Sequence, residues 1–370
     1  MNNVLHVING EHYAGAERVQ DLLAQGLVEH GFQVGFACLK PGRFLEARRC
    51  RQAPLYALPM QTRLDLRVVA RLARIIRHDG YRLVHAHTPR TALIGRLAAL
   101  AAGVPLVYHV HSPTACDSTR GWRNRCNAAL EWASLRGAPR LIAVSHSLRR
   151  HMLELGYAAQ RVSVVHNGVP CIEPPPRRDP PCGRWTLGCV ALIRPRKGIE
   201  ILLDAMAALR AEDLPVRLRV VGPFETAAYE TQLKDRAGRL GIADGIEWTG
   251  FVSDVTAELR QFDLLVLPSL FGEGLPMVVL EAMACGVPVV GTRVEGVPEA
   301  ISDGQDGVLT RPNDPSDLAR AIVQVVSGGL SWTSLSQHAR ARQIEAFSDQ
   351  SMAAGVAAVY RDVLGLAGER

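Results

Sequence analysis

The segment richest in reactive groups is Phe271-Gly272-Glu273-Gly274-Leu275-Pro276-Met277-Val278-Val279-Leu280-Glu281-Ala282-Met283-Ala284. It follows the apolar run Leu264–Leu267 and opens a helix, so it reads as a strand-to-helix turn. Gly272 and Gly274 let the backbone approach a ligand closely. The free N–H groups at the helix start offer hydrogen bonds to a phosphate or a sugar hydroxyl. Glu273 lies in the loop and Glu281 about one turn inside the helix. Carboxylates so spaced can accept hydrogen bonds from hydroxyls at two ends of one elongated ligand. Each also has a plainer reading, Glu273 as a helix-start carboxylate and Glu281 as part of a solvated face. That reading suits Glu281 poorly, because Leu280, Ala282, Met283 and Ala284 give it an apolar setting in which a charge wants a partner.

Histidine is the second chemical signal: eleven of the twelve lie before residue 167. His85, His87, His109 and His111 form two i,i+2 pairs, each at the end of an apolar run. Imidazole is the commonest metal ligand. The two members of each pair are expected on opposite faces of their strand, however, leaving at most one ligand per pair for a common side. No D-x-D triplet for a metal–diphosphate bridge occurs in the chain. No metal is therefore expected, and His87 and His111 are assigned hydrogen-bonding or acceptor-facing roles.

These residues need a scaffold, and the 370-residue length favours two domains. The chain is 48% apolar and 21% charged, as in ordinary globular proteins, which excludes disordered and fibrous classes. Short apolar runs alternate with amphipathic ones, the mark of βαβ units and parallel sheets. Strands are expected over 4–8, 33–38, 83–86, 106–110, 141–144 and 162–165, with helices over 16–29, 65–77, 91–102, 123–135 and 148–155. Prolines 170, 174, 175, 176, 180 and 181 then interrupt the pattern. This stretch reads as a linker, with a long loop inside one domain as the alternative. Strands follow over 187–192, 218–221, 245–248, 264–267 and 287–291, and helices over 199–210, 227–240, 255–260, 277–284, 315–326 and 333–345. The expected architecture is α/β: two doubly wound Rossmann-like domains facing across a cleft, with loops at the carboxyl ends of their strands. The boundaries are 1–168, a proline-rich linker over 169–185, and 186–345. Residues 346–370 form a C-terminal helix able to return to the N-terminal domain.

The net charge of +6 hides an asymmetry. Residues 1–175 carry 22 basic and 11 acidic side chains, the remainder 20 and 25. Arg63, Arg67, Arg71, Arg74 and Arg77 recur at helical spacing opposite a stripe of Leu64, Val68, Leu72, Ile75 and Ile76. Arg120, Arg123 and Arg125 surround Trp122. Such surfaces suit anionic lipid headgroups or phosphate-bearing acceptors, and equally an outer helix face in solvent. No nucleic-acid motif accompanies them. The N-terminus lacks the basic and apolar regions of a signal peptide, and no stretch reads as a membrane span. The eight cysteines show no zinc-type spacing and are expected as reduced thiols, with the cytoplasm as compartment.

Motifs along nearly the whole chain resemble glycosyltransferase family 4, the retaining GT-B glycosyltransferases. The Glu273/Glu281 segment resembles the family's E-x7-E motif. Gly15-Ala16-Glu17-Arg18 resembles its first-loop G-G-A-E-R, with Ala14 where the first glycine usually stands. Val84-His85-Ala86-His87, His109-Val110-His111-Ser112, Ala143-Val144-Ser145 and His166-Asn167-Gly168-Val169 follow in order. So do Arg196-Lys197-Gly198, Val220-Val221-Gly222, Gly250-Phe251-Val252, Gly286-Val287-Pro288-Val289-Val290, Glu295-Gly296-Val297-Pro298-Glu299 and Asp303-Gly304.

The resemblance implies a hexosyl-type transferase that takes sugar from a nucleotide diphosphate sugar held by the C-terminal domain, with the acceptor entering from the N-terminal side. Glu281 would bind the ribose hydroxyls and Glu273 hydroxyls of the donor sugar. The amides around Gly274, Leu275 and Pro276 would touch sugar and phosphate, and Val252 belongs to the same donor-binding set. Lys197 would neutralise the leaving diphosphate. Gly15 would let backbone amides reach the diphosphate, and His111 would sit at the reacting sugar. The family arginine five residues before the lysine is Leu192 here. Arg194 is the nearest guanidinium and its expected substitute; otherwise the site relies on Lys197 alone. The implied chemistry is front-face transfer without metal or other cofactor, the diphosphate oxygen taking the acceptor's proton. The acceptor would be a glycan or lipid-linked species in cell-surface polysaccharide or glycolipid synthesis, at the inner face of the cytoplasmic membrane. A nucleotide-sugar 2-epimerase of the same fold is the alternative. An oxidoreductase is disfavoured, since Asn9-Gly10-Glu11-His12-Tyr13-Ala14-Gly15 lacks dinucleotide-binding glycine spacing.

Overall fold

The computed structural model describes residues 1–62, 65–113, 129, 131–172 and 179–366. Arg63, Arg120, Trp122, Arg123, Arg125 and prolines 174–176, all singled out above, lie outside them. The chain divides into two compact units, Met1–Gly168 with Ser348–Arg370, and Val169–Phe347.

The first unit holds a seven-stranded parallel sheet. Its strands are β1 (Asn2–Ile8), β2 (Phe32–Cys38), β3 (Leu55–Ala57), β4 (Tyr81–Ala86), β5 (Leu106–Val110), β6 (Arg140–Ala143) and β7 (Val162–Val164). Their spatial order is β3-β2-β1-β4-β5-β6-β7. The switch from β1 outward in both directions marks a doubly wound sheet, which places loops and ligands at the carboxyl ends of the central strands. The interior of β1 and all of β5 are buried, as strands covered by helices on both faces must be. Helix Pro89–Ala102 starts on a Thr88–Thr91 capping box with proline in its first turn and stops at Gly103, whose φ is 73°. The carboxyl end of β4 is thereby fixed directly before His87.

The C-terminal helix Asp349–Leu364 belongs to this first unit. A Cβ on Gly26 would come within 2.8 Å of Ala353 Cβ, and one on Gly355 within 2.8 Å of Val165 Cγ1. Glycine at both positions lets the returning helix lie close against helix Gly15–Gly26 and the segment after β7.

The second unit holds a six-stranded parallel sheet of β8 (Trp185–Val190), β9 (Val216–Val221), β10 (Ile246–Gly250), β11 (Leu264–Leu267), β12 (Val289–Thr292) and β13 (Gly307–Thr310). The order is β10-β9-β8-β11-β12-β13. Leu187, Leu218, Leu264, Val266 and Val290 form its buried centre with Leu202, Leu203 and Ile322 of the covering helices. Both units thus have the expected doubly wound α/β architecture. The strands β3 and β13, absent from the sequence reading, are sheet edges; each is short and follows no long apolar run.

Candidate active site

In the second unit, three loops converge at the carboxyl ends of β8, β11 and β12. After β8 the chain makes a 3₁₀ turn at Pro195–Lys197 and enters helix Ile199–Ala211 through Gly198, with φ 66°. A Cβ there would lie 2.1 Å from the Pro268 carbonyl oxygen, so only glycine permits this approach of the two loops. The Leu270 amide donates to the Arg196 carbonyl at 2.8 Å, tying the loop after β11 to the Lys197 turn.

This backbone brings Lys197 onto Glu273. The ammonium donates to Glu273 Oε1. Ser269 Oγ donates to the same oxygen at 2.7 Å, and Arg196 Nη1 lies 3.5 Å from it. Arg196 also donates to the carbonyls of Phe271 and Gly272 at 3.2 and 3.1 Å, and so braces the glycine loop. The Glu273 amide donates to Glu295 Oε2 at 3.1 Å, and the Gly296 amide to the Glu273 carbonyl at 2.9 Å. Burial alone would raise the Glu273 carboxyl. Lys197 first, then Arg196 and the hydrogen bonds, outweigh it and hold the carboxyl below its ordinary range. Burial lowers the Lys197 ammonium, Arg196 and Arg194 lower it further, and Glu273 works in the opposite direction.

Gly274, Leu275 and Pro276 are buried in the turn that starts helix Met277–Ala284, whose first residues receive no side-chain cap. Glu281 is buried on that helix at 5% exposure, an apolar setting consistent with its flanking residues. Val252 is half-buried just beyond β10. Arg194 precedes the Lys197 turn with its guanidinium 3.9 Å from Glu225. The guanidinium that reaches Glu273 is that of Arg196, which the sequence reading left without a role. Ser269 and Glu295 were missed as well; the only available signals were a polar residue between strand and glycine loop, and a glutamate within a recognised motif.

In the first unit, Gly15 is exposed and opens helix Gly15–Gly26 beyond β1. Glu17 in its first turn is pushed up to about 7, chiefly by burial. The histidines collect at the carboxyl ends of β1, β4 and β5. The expectation that His85/His87 and His109/His111 point to opposite faces is incorrect. A strand repeats every two residues, so i and i+2 return to the same face. The ring centroids of His85 and His87 are 4.2 Å apart and those of His109 and His111 4.4 Å. His6, paired with His85 across β1 and β4, joins them.

The result is a continuous hydrogen-bonded chain. Tyr360 Oη, from the returning C-terminal helix, lies 3.0 Å from His6 Nε2 and 2.6 Å from His85 Nδ1. His6 Nδ1 lies 3.2 Å from His87 Nε2, and His87 Nδ1 3.1 Å from His111 Nε2. The His87 amide donates to Thr91 Oγ1 at 3.0 Å, seating the ring at the helix start. Burial drives all five imidazoles toward the neutral form, His6 to about 3 and His111 to about 4.

On the basic helix, Leu66–His78, the residues Arg67, Arg71, Arg74 and Arg77 are exposed while Val68, Leu72 and Ile76 are buried. Arg67 pairs with Asp65 at 3.0 Å. A groove of about 950 Å³ runs beside it, lined by Val69, Ala73, Leu97 and Ala101 and rimmed by Arg74 and Arg77. Among the described residues, no helix is long and apolar enough to cross a membrane.

Residues 13–172 match the family model described as Glycosyltransferase Family 4, and residues 184–327 the one described as Glycosyl transferases group 1. The D-inositol 3-phosphate glycosyltransferase of Thermobispora bispora is 30% identical over 329 residues, covering 83% of this chain and 76% of the relative. That of Streptomyces bingchenggensis is 31% identical, covering 77% and 67%. The chain belongs to glycosyltransferase family 4. It spans 60–76% of the length of several curated relatives. The Anabaena HepE protein, solved with UDP and glucose, superposes with a TM-score of 0.86 at 22% identity, covering 98% of this chain and 100% of that one. The fold is that of the GT-B glycosyltransferases. This family 4 chain is therefore a glycosyltransferase, which decides against the isomerase and oxidoreductase readings.

Proposed function

We propose that this glycosyltransferase moves a hexose from a UDP-sugar to a phosphate-bearing glycan or lipid-linked acceptor, with retention of configuration and without a metal at the diphosphate. The observation that carries the reading is the cluster of Lys197, Arg196 and Ser269 on Glu273 beside an uncapped helix start. An arriving diphosphate competes with Glu273 for Lys197 and takes up its charge, as a departing nucleotide requires. Glu273, released from that pair, accepts hydrogen bonds from the sugar's hydroxyls. Glu281 accepts those of the ribose, and Gly274, Leu275, Pro276 and Val252 shape the remaining donor contacts. Arg194, which already bears electrostatically on Lys197, supplies the second cation for the diphosphate in place of the family arginine.

On the other unit, Gly15 gives backbone access to the diphosphate, and His87 with His111 presents the imidazole edge to the reacting sugar and acceptor. UDP is chosen because HepE was solved with UDP and with UDP-glucose. A phosphate-bearing acceptor fits both the basic first half and the acceptor named in the inositol 3-phosphate relatives. The basic helix, through Arg67, Arg71 and Arg74, would hold the enzyme at the anionic inner face of the cytoplasmic membrane, in cell-surface polysaccharide or glycolipid synthesis.

A panel of nucleotide sugars, scored by thermal shift and by slow hydrolysis without acceptor, tests the donor. UDP-hexoses should raise the melting temperature and be hydrolysed, while GDP- and ADP-sugars do neither. Stabilisation by GDP- or ADP-sugars alone would overturn the UDP assignment.

A further inference from the structure

The histidine stack contains more ligating groups than its hydrogen bonds use. His109 is fully buried, and among the described residues neither its Nδ1 nor its Nε2 has a hydrogen-bond partner; His85 Nε2 is likewise buried and unpartnered. A buried imidazole with both nitrogens unsatisfied costs free energy that a bound group would recover. One ring nitrogen each from His87, His109 and His111 lies within 4.8 Å of the others. His87 Nδ1 and His111 Nε2, at 3.1 Å, already stand close to the roughly 3.3 Å edge of a tetrahedron built on 2.0–2.1 Å zinc–nitrogen bonds.

We infer that His87, His109 and His111 form a three-imidazole site for a zinc-class divalent transition-metal ion, in which His6 is the outer partner that orients His87. A His87 Nε2–H donating to His6 Nδ1 leaves Nδ1 as the lone pair facing His109 and His111, the arrangement that metal-binding histidines use. Tyr360 anchors His6 from behind, so the C-terminal helix positions the site. Neutral rings have their lone pairs available, and three nitrogens without thiolate or carboxylate suit zinc, cobalt, nickel or copper rather than magnesium or calcium. His111 is half-buried while the other two are buried, which leaves the fourth, water-bearing position on the His111 side. An ion there takes the Nε2 lone pair of His111, so metal-free and metal-bound protein present different groups beyond β5. This ion is separate from the diphosphate chemistry, and its detection does not depend on the transferase reading.

The test uses the full chain stripped with a chelator and dialysed against micromolar Zn²⁺ or Co²⁺. The expected result is one ion per chain and an intense visible Co²⁺ spectrum of tetrahedral type. His109→Leu should weaken binding at least 100-fold, and His6→Phe about 10- to 100-fold as loss of an outer partner does. His338→Ala, exposed and outside every histidine cluster among the described residues, should leave binding unchanged. Less than stoichiometric ion in the wild type, a weak octahedral Co²⁺ spectrum, or equal retention by folded His109→Leu would overturn the site. The cobalt spectrum of the wild type reports the coordination geometry even if both variants fail to fold, and a weak octahedral spectrum alone would overturn the site.

Discussion

The two chemically active regions solve the burial of polar groups in opposite ways. Around Glu273 charge is kept and compensated: a carboxylate below its ordinary range, an ammonium on one of its oxygens, and a guanidinium and a hydroxyl close by. Around His87 charge is expelled, and five imidazoles lie within one stack, all driven toward neutrality. The first arrangement suits a ligand that brings its own charge and can exchange partners with the ion pair. The second suits groups that offer lone pairs or pass a proton along hydrogen bonds without building up charge.

The comparison breaks most visibly in turnover. Lys197→Ala and Glu273→Gln should each lower sugar transfer by about 10²- to 10³-fold, the scale of losing one preorganised charge contact. Steady-state kinetics with a UDP-hexose would show it. Both variants also break the buried pair, which adds a cost in stability. Lys197→Ala leaves the Glu273 carboxylate with Arg196 and Ser269 only, and Glu273→Gln leaves the Lys197 and Arg196 cations without a counter-charge, so each should cost several kcal/mol of stability. Urea denaturation of the two variants measures these costs.

Next in size is Gly198→Ala. The left-handed backbone and the Pro268 carbonyl at 2.1 Å from a would-be Cβ predict a loss of about 2 kcal/mol or more and a displaced Lys197. An unchanged urea midpoint would contradict the role given to that close approach.

Acid separates the two regions by window. In the unfolded chain the histidines bind protons as pH falls below about 6.5, while His111 resists until about 4 and His6 until about 3. Their contribution is therefore complete above pH 6.5 and drains away as pH falls toward those values. Glu273, whose carboxyl is lowered from 4.5, contributes fully above 4.5 and loses that contribution only as pH falls further. Hydrogen exchange between pH 7 and 5 should show protection falling around β1, β4 and β5 before it falls around β11. The smallest effect belongs to the basic helix. Arg71→Gln with Arg74→Gln should weaken low-salt binding to anionic vesicles severalfold, with little change in donor hydrolysis.

The donor loop was legible in the sequence because its two glycines and two glutamates lie within one short segment, whereas Lys197, 76 residues before Glu273, entered only through the family resemblance of Arg196-Lys197-Gly198. Arg196 escaped because its neighbours Arg194 and Lys197 absorbed the charge argument, and which of three cations reaches Glu273 depends on how the Lys197 turn docks on the loop after β11. The individual histidines were visible, but not their gathering. His6, His85 and His109 sit on strands 1, 4 and 5, which adjoin only through the β1-β4-β5 crossover of the doubly wound sheet. Tyr360 reaches them from a helix more than 270 residues downstream of His85. The central strands were found from their apolar runs, and β3 and β13 were not, since short edge strands carry little of that signal.

The division of labour between the regions is tested most directly by calorimetric titration of UDP into Lys197→Ala and His111→Ala. The account predicts that Lys197→Ala binds UDP at least tenfold more weakly than wild type. His111→Ala should bind it as wild type does while losing transfer. UDP affinity unchanged in Lys197→Ala would contradict the account.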